Sequence, residues 1–207
     1  MTDKAERNDG DAAREHDTDD GIMELTASLF LRHWREFLSG FFFCMACCLL
    51  AGAGCSFEGA ALAMFLVWTA VFDFHYGLIF DRLLVVFAAA ALFFRLSDGT
   101  AAVLLLTGAL TGGVPLLVLR VLSRGGIGGG DIKLMAVVGL WLGWRAALLT
   151  LLLASWGGGL LAAALLLSGR GKRKDAIPFG PFLSFGAWAS FLFGKELLAL
   201  YEGLFSG

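Results

Sequence analysis

Long apolar runs separated by short polar segments make up most of this chain. The runs lie at residues 37–56, 59–72, 78–96, 101–122, 132–143, 146–168 and 180–203. A helix needs about 20 predominantly apolar residues to cross the hydrocarbon core of a bilayer. Several runs are shorter, and residues 132–143 in particular suit a tilted or half-buried helix. The pattern predicts an all-α polytopic membrane protein with about seven transmembrane helices, and six or eight are also compatible with it.

Composition supports a membrane protein over a soluble one. Of the 207 residues, 58% are hydrophobic and only 16% are charged, and the mean hydropathy is +0.77. This excludes an ordinary soluble domain. Charge is concentrated at the start, where eight of the first twenty residues are acidic and three are Lys or Arg. We therefore expect an acidic, disordered cytoplasmic tail at residues 1–30 and one membrane domain at residues 31–207.

The basic residues predict the orientation of the chain. Loops on the cytoplasmic side of a membrane protein carry an excess of Lys and Arg. If the N-terminus is cytoplasmic, thirteen basic residues fall on that side, and only Arg95, Arg145 and Lys195 fall on the other. The same topology brings three polar segments to the cytoplasmic face, at residues 73–82, 125–135 and 170–182.

The cysteines do not indicate a metal centre. Cys44, Cys47, Cys48 and Cys55 all lie in the first apolar run, and the first two have the spacing of a metal or redox pair. A second such pair is missing, and cysteine buries readily as a small hydrophobic residue. We interpret these side chains as packing residues and expect neither a metal nor a cofactor.

Acidic residues beside apolar runs are candidates for function. Burying a carboxylate costs several kcal/mol unless it is paired or hydrated. Asp73 ends the second run, Asp131 begins the fifth, and the topology brings both to one face. Two carboxylates close together in a low dielectric share one proton and so provide an acid and a base. That pair suits peptide hydrolysis by an activated water.

The segment "GGIGGGDIKLM" at residues 125–135 allows two interpretations. Glycines before Asp131 leave room for an extended substrate backbone to approach the acid. Alternatively, Asp131 caps a helix that starts at Ile132, where the helix dipole favours an acidic residue. Residue types alone leave both open.

Three segments together resemble a known family. "DFHYGLIFDR" at residues 73–82, "GIGGGDIKLMAVVGLWLGW" at 126–144 and "IPFGPFL" at 177–183 are similar, in this order, to the landmarks of the type IV prepilin peptidases. These are membrane aspartyl proteases of the GxGD class. The resemblance extends from about residue 60 to residue 200.

The resemblance implies that Asp73 and Asp131 are the catalytic pair. It further implies cleavage of the short basic leader of prepilins or pseudopilins, at the cytoplasmic face of the bacterial inner membrane. We expect roles in type IV pili or type II secretion. The supporting residues are expected to be Gly128, Gly130, Lys133, Asp81, Pro178, Gly180 and Pro181. Asp81 could pair with Arg82 or cap the third helix, and Lys133 could balance charge beside the pair or anchor the interface.

Bifunctional members of that family carry an N-terminal domain with paired CxxC motifs, and nothing in this sequence matches that domain. The resemblance therefore implies a peptidase without N-methyltransferase activity. The expected partners are prepilin or pseudopilin substrates and the lipid bilayer, not nucleic acid, and oligomeric state is open. Two alternatives are a transporter or channel subunit, whose acids would form an ion site, and a noncatalytic scaffold for pilus or secretion assembly.

Overall fold

The computed structural model describes residue 28 and residues 31–46, 57–168 and 178–205. The chain divides into two units, Met1–Ser39 and Gly40–Gly207. The predicted acidic tail lies outside the described residues apart from residue 28, and so do Cys47, Cys48 and Cys55.

Seven helices account for most of the described residues, and no strand occurs among them. They are α1 at 31–46, α2 at Phe57–Tyr76, α3 at Asp81–Ser97, α4 at Ala102–Leu122, α5 at Gly129–Leu142, α6 at Trp144–Leu167 and α7 at Gly180–Phe205. The predicted all-α fold is confirmed. The third apolar run starts at residue 78, and α3 begins at Asp81 within it. Gly77, at φ 62°, ends α2, and residues 78–80 form a connection.

Four helices of the described residues are long and apolar enough to cross a membrane, namely α2, α4, α6 and the Gly180–Leu200 part of α7. The protein is a multi-pass membrane protein. Helices α3 and α5 are shorter, at 17 and 14 residues. Helix α5 packs against α3, α4, α6 and α7, and Leu134, Met135 and Val138 are completely buried. Because its sides are covered by protein, α5 does not need the length of a lipid-spanning helix.

Helices α4 and α5 pack backbone to backbone through glycine. A Cβ atom at Gly108 would collide with the Gly139 carbonyl, and one at Gly139 would collide with the Gly108 carbonyl. A Cβ at Gly112 would likewise collide with the carbonyl of Met135. Small residues permit such close approach between membrane helices. This contact fixes the position of α5, and therefore of Asp131, against α4.

Helix α7 is joined to its neighbours by buried hydroxyl groups. The Thr69 and Ser184 Oγ atoms are 3.3 Å apart, between α2 and α7. Thr150 Oγ1 of α6 donates to Ser190 Oγ of α7 at 3.1 Å. Buried polar side chains need such partners in an apolar surrounding. The first bond sets the end of α2 beside the beginning of α7.

Candidate active site

Asp73 lies in the last turn of α2 with only 7% of its surface exposed. Its Oδ2 atom accepts a 2.8 Å hydrogen bond from the backbone N–H of Gly180, the first residue of α7. The carboxylate therefore faces a helix N-terminus, where free N–H groups and the helix dipole stabilise negative charge. A Cβ atom at residue 180 would lie 2.6 Å from Asp73 Oδ2, so glycine is required for this contact.

Asp131 is the third residue of α5 and is 8% exposed. Its carboxylate lies beside Gly128, the residue that caps α5, since a Cβ added at Gly128 would be 2.9 Å from Asp131 Oδ2. An acidic side chain in the first turn is favoured by the helix dipole. The interpretation that Asp131 caps a helix starting at Ile132 has to be corrected, because the helix starts at Gly129. The Asp131 Oδ1 atom is buried and has no hydrogen-bond partner among the described residues.

The two carboxylates line one cavity of about 670 Å³. They are close enough to interact electrostatically, so ionisation of one opposes ionisation of the other. The rest of the cavity wall is mostly apolar and includes Phe74, Leu116 and Leu119. A buried acid pair in an apolar cavity, with one oxygen left unpaired, has the residue types and the space for acid–base chemistry on a bound chain.

The glycines before Asp131 have separate structural roles. Gly126 and Gly128 line the cavity, where they present backbone without side chains. Gly125, at φ 95°, follows Arg124, at φ 53°, and the pair forms a left-handed turn that favours glycine. Gly130 faces the loop before α3, since a Cβ there would lie 2.9 Å from Ile79 Cβ.

The proline segment also contributes to the cavity. Pro178 and Phe179 line it, and Gly180 donates to Asp73. Pro181 lies in the first turn of α7, where a missing N–H costs no helical hydrogen bond. The segment therefore begins a helix whose first amide reaches the acid. Residues 170–177 lie outside the described residues.

Asp81 and Lys133 form a separate ion pair between α3 and α5. Lys133 Nζ lies 2.6 Å from Asp81 Oδ2, and the two side chains are 57% and 65% exposed. Asp81 is in the first turn of α3, where the dipole favours an acid. Neither residue lines the cavity of Asp73 and Asp131. The structure gives Lys133 an ion-pair partner at the surface and does not bring it into that cavity.

Sequence reasoning missed several cavity residues. Ser155 reaches the cavity from α6, and Ile127 and Phe74 reach it from the segments around the two acids. Ser155 is one of two hydroxyl residues in the apolar α6, with Thr150, and this was only a weak signal. The other two were not distinguishable from packing residues, because apolar side chains are common in every span of this chain.

Comparison with known proteins finds a matching family and several related proteins. The model of the type IV leader peptidase family matches residues 60–163, which include Asp73 and Asp131 but not the segment at 178–181. A prepilin leader peptidase/N-methyltransferase of Bacillus subtilis is 36% identical over 166 residues, covering 74% of this chain and 65% of that protein.

Relatives with the same name in Pseudomonas putida and Stutzerimonas stutzeri are 42% identical over 79 residues and 38% identical over 81 residues. Those matches cover 38% and 39% of this chain, but only 27% and 28% of the relatives. The chain thus spans less than two thirds of the length of these relatives. No solved structure matches it. Because the family model covers half of the chain and both buried aspartates, the chain belongs to the type IV leader peptidase family.

Proposed function

We propose that this protein is an aspartic endopeptidase that removes the short basic leader of type IV prepilins or pseudopilins. The observation that carries the proposal is the pair Asp73 and Asp131, which come from distant parts of the sequence and line one cavity. The names of the relatives, prepilin leader peptidase/N-methyltransferase, support the substrate class.

We assign the two acids different roles because their surroundings differ. Asp73 accepts the Gly180 N–H at the beginning of α7, which suits an ionised carboxylate that removes a proton from water. Asp131 has a buried oxygen that finds no partner among the described residues, which suits the protonated acid that polarises the scissile carbonyl. Attack of the water on the carbonyl carbon moves one proton to Asp73. Collapse of the tetrahedral intermediate then breaks the C–N bond, and the leaving amine takes a proton from the pair.

Two features support the way a substrate would bind. Gly126 and Gly128 line the cavity, and residues without side chains allow an extended backbone to approach the acids. The apolar wall formed by Leu116, Leu119 and Phe179 suits the hydrophobic residues that follow the cleaved bond. We place the reaction at the cytoplasmic face of the bacterial inner membrane, with the N-terminus inside. The excess of basic residues on that side supports this orientation.

The test is mass spectrometry of a prepilin N-terminus after co-expression with this protein. We expect the wild type to release the leader and the Asp73→Asn and Asp131→Asn variants to leave the prepilin intact. Lys133→Gln provides the control. It removes a charge two residues from Asp131 at a position that does not line the cavity. Cleavage by either asparagine variant would remove that aspartate from the mechanism. Failure of the wild type on several prepilins would contradict the peptidase proposal.

The same spectrum tests the prediction that N-methyltransferase activity is absent. A methyl group adds a fixed mass to the new N-terminus, so methylated and unmethylated products separate. We expect the unmethylated product when no other processing enzyme is present. A methylated product in that host would contradict the prediction without affecting the assignment of the two aspartates.

A further inference from the structure

A second cavity, of about 300 Å³, lies away from the aspartates. Its lining includes Glu58 at the start of α2, Arg95 at the end of α3 and Arg145 at the start of α6. Asp73 is instead in the last turn of α2. Asp73 lies fifteen positions after Glu58 in this helix, which is roughly 22 Å along the axis. The second cavity is therefore at the opposite end of α2 from the first.

Positive charge converges on this cavity. Arg95, Arg145 and Lys195 come from three different helices, and Glu58 is the one acid among the described residues of the lining. No ion pair is formed by any of the three cations within the part of the chain that the structure describes. The Arg145 guanidinium lies 5.2 Å from the centre of the Trp144 ring, an arrangement that leaves its N–H groups free to bind an anion.

The topology makes this convergence informative. Arg95, Arg145 and Lys195 are the three basic residues that the charge distribution leaves off the cytoplasmic face, and all three line the same cavity. Cations that only anchor helices at the interface have no reason to gather, because like charges repel and each side chain can reach water alone. Their convergence favours a shared anionic ligand.

The remaining lining indicates the kind of anion. Leu62, Trp141, Phe191 and Leu198 add apolar surface to the same lining. Arginine binds phosphate through two parallel hydrogen bonds, while an apolar wall suits the glycerol backbone and first methylenes of a lipid. We infer that this cavity binds the phosphate of an anionic phospholipid headgroup at the membrane end opposite the aspartates.

The experiment is native mass spectrometry of the full chain purified in detergent and titrated with phosphatidylglycerol. Phosphatidylcholine, which has no net charge, and inorganic phosphate are titrated in parallel. Arg95→Gln/Arg145→Gln removes two cations from the cavity. Arg32→Gln/Arg35→Gln is the matched control, because it removes two exposed arginines that do not line it. Circular dichroism checks that each variant keeps its helical content.

We expect phosphatidylglycerol to bind more tightly than phosphatidylcholine. The double cavity variant should bind phosphatidylglycerol roughly 30-fold more weakly, because each cation near a headgroup contributes about fivefold. The control variant should bind it as tightly as the wild type does. Lys195→Gln should weaken binding about fivefold, which keeps the test available if the double variant does not fold. Equal weakening in the control, or unchanged binding in the folded cavity variants, would overturn the site. Binding of inorganic phosphate without phosphatidylglycerol would overturn the lipid assignment.

Cleavage of a prepilin is measured on the same variants. The cavity variants should retain the cleavage activity of the wild type in detergent, because none of the three cations lines the cavity of Asp73 and Asp131. The lipid site and the proposed peptidase activity are therefore tested by separate readouts.

Discussion

The backbone N–H of Gly180 donates a 2.8 Å hydrogen bond to Oδ2 of Asp73, a residue 107 positions earlier in the chain. The contact joins the end of α2 to the beginning of α7. It also leaves no space for a side chain at residue 180, because an added Cβ would be 2.8 Å from both Cβ and Cγ of Asp73.

We predict that Gly180→Ala lowers cleavage about 100-fold while the protein still inserts into the membrane. Alanine favours a helix more than glycine does, so a loss of cleavage would come from displacement of Asp73 and not from a weaker helix. A misplacement of about 1 Å lowers a catalytic rate by roughly 100-fold. The rate of leader release is the measurement. Gly159→Ala is the control, since no atom lies within 4 Å of a Cβ there. Equal rates in the two variants would show that the Gly180 contact does not position the acid.

We predict that Asp73→Asn and Asp131→Asn are not additive. Each removes one member of a pair that shares a proton, so the second substitution has little left to remove. The double variant should therefore release the leader no more slowly than either single variant, measured in single-turnover assays with excess enzyme. A further loss of the same size in the double variant would mean that the two acids act independently.

The buried bond between Thr69 and Ser184 should support the contact between Asp73 and Gly180. Thr69 is one helical turn before Asp73, and Ser184 is one turn after Gly180, so both bonds join α2 to α7 in the same register. Thr69→Val keeps the shape of the side chain and removes its hydrogen bonds. We expect a stability loss of about 0.6 kcal/mol, the usual size for such bonds between membrane helices.

Thermal unfolding in detergent measures that loss, and Thr107→Val is the control because Thr107 is exposed and its hydroxyl donates within its own helix. Ser184→Ala and the double variant complete a double-mutant cycle. A coupling energy of zero would show that the two hydroxyls do not stabilise this helix pair together.

The ion pair of Asp81 and Lys133 should matter little for catalysis. Both side chains are more than half exposed, at 65% and 57%, and exposed pairs contribute about 0.2–1 kcal/mol. We predict that Lys133→Gln cleaves a prepilin within a few-fold of the wild type. Loss of cleavage comparable to that of Asp131→Asn would instead assign Lys133 a role at the acid pair.

Much of the fold was predictable from the sequence, because the signals are local. The apolar runs at 101–122 and 146–168 correspond to α4 at Ala102–Leu122 and α6 at Trp144–Leu167. Backbone groups in lipid must form their hydrogen bonds within the segment, so a long apolar run specifies a helix by itself. The run at 132–143 was also expected to be half-buried, and α5 is covered by neighbouring helices.

The apolar segments, the charge asymmetry and the positions of Asp73 and Asp131 at the ends of their runs are all properties of the amino-acid sequence. The contacts between distant segments appear only in the folded protein. Gly180 donates to Asp73, Ile79 lies beside Gly130, and Asp81 pairs with Lys133. The physical reason is that hydrophobicity and helix formation act over a few turns. Contacts between distant segments depend instead on the register of packed helices, which glycine contacts and buried hydroxyl bonds fix.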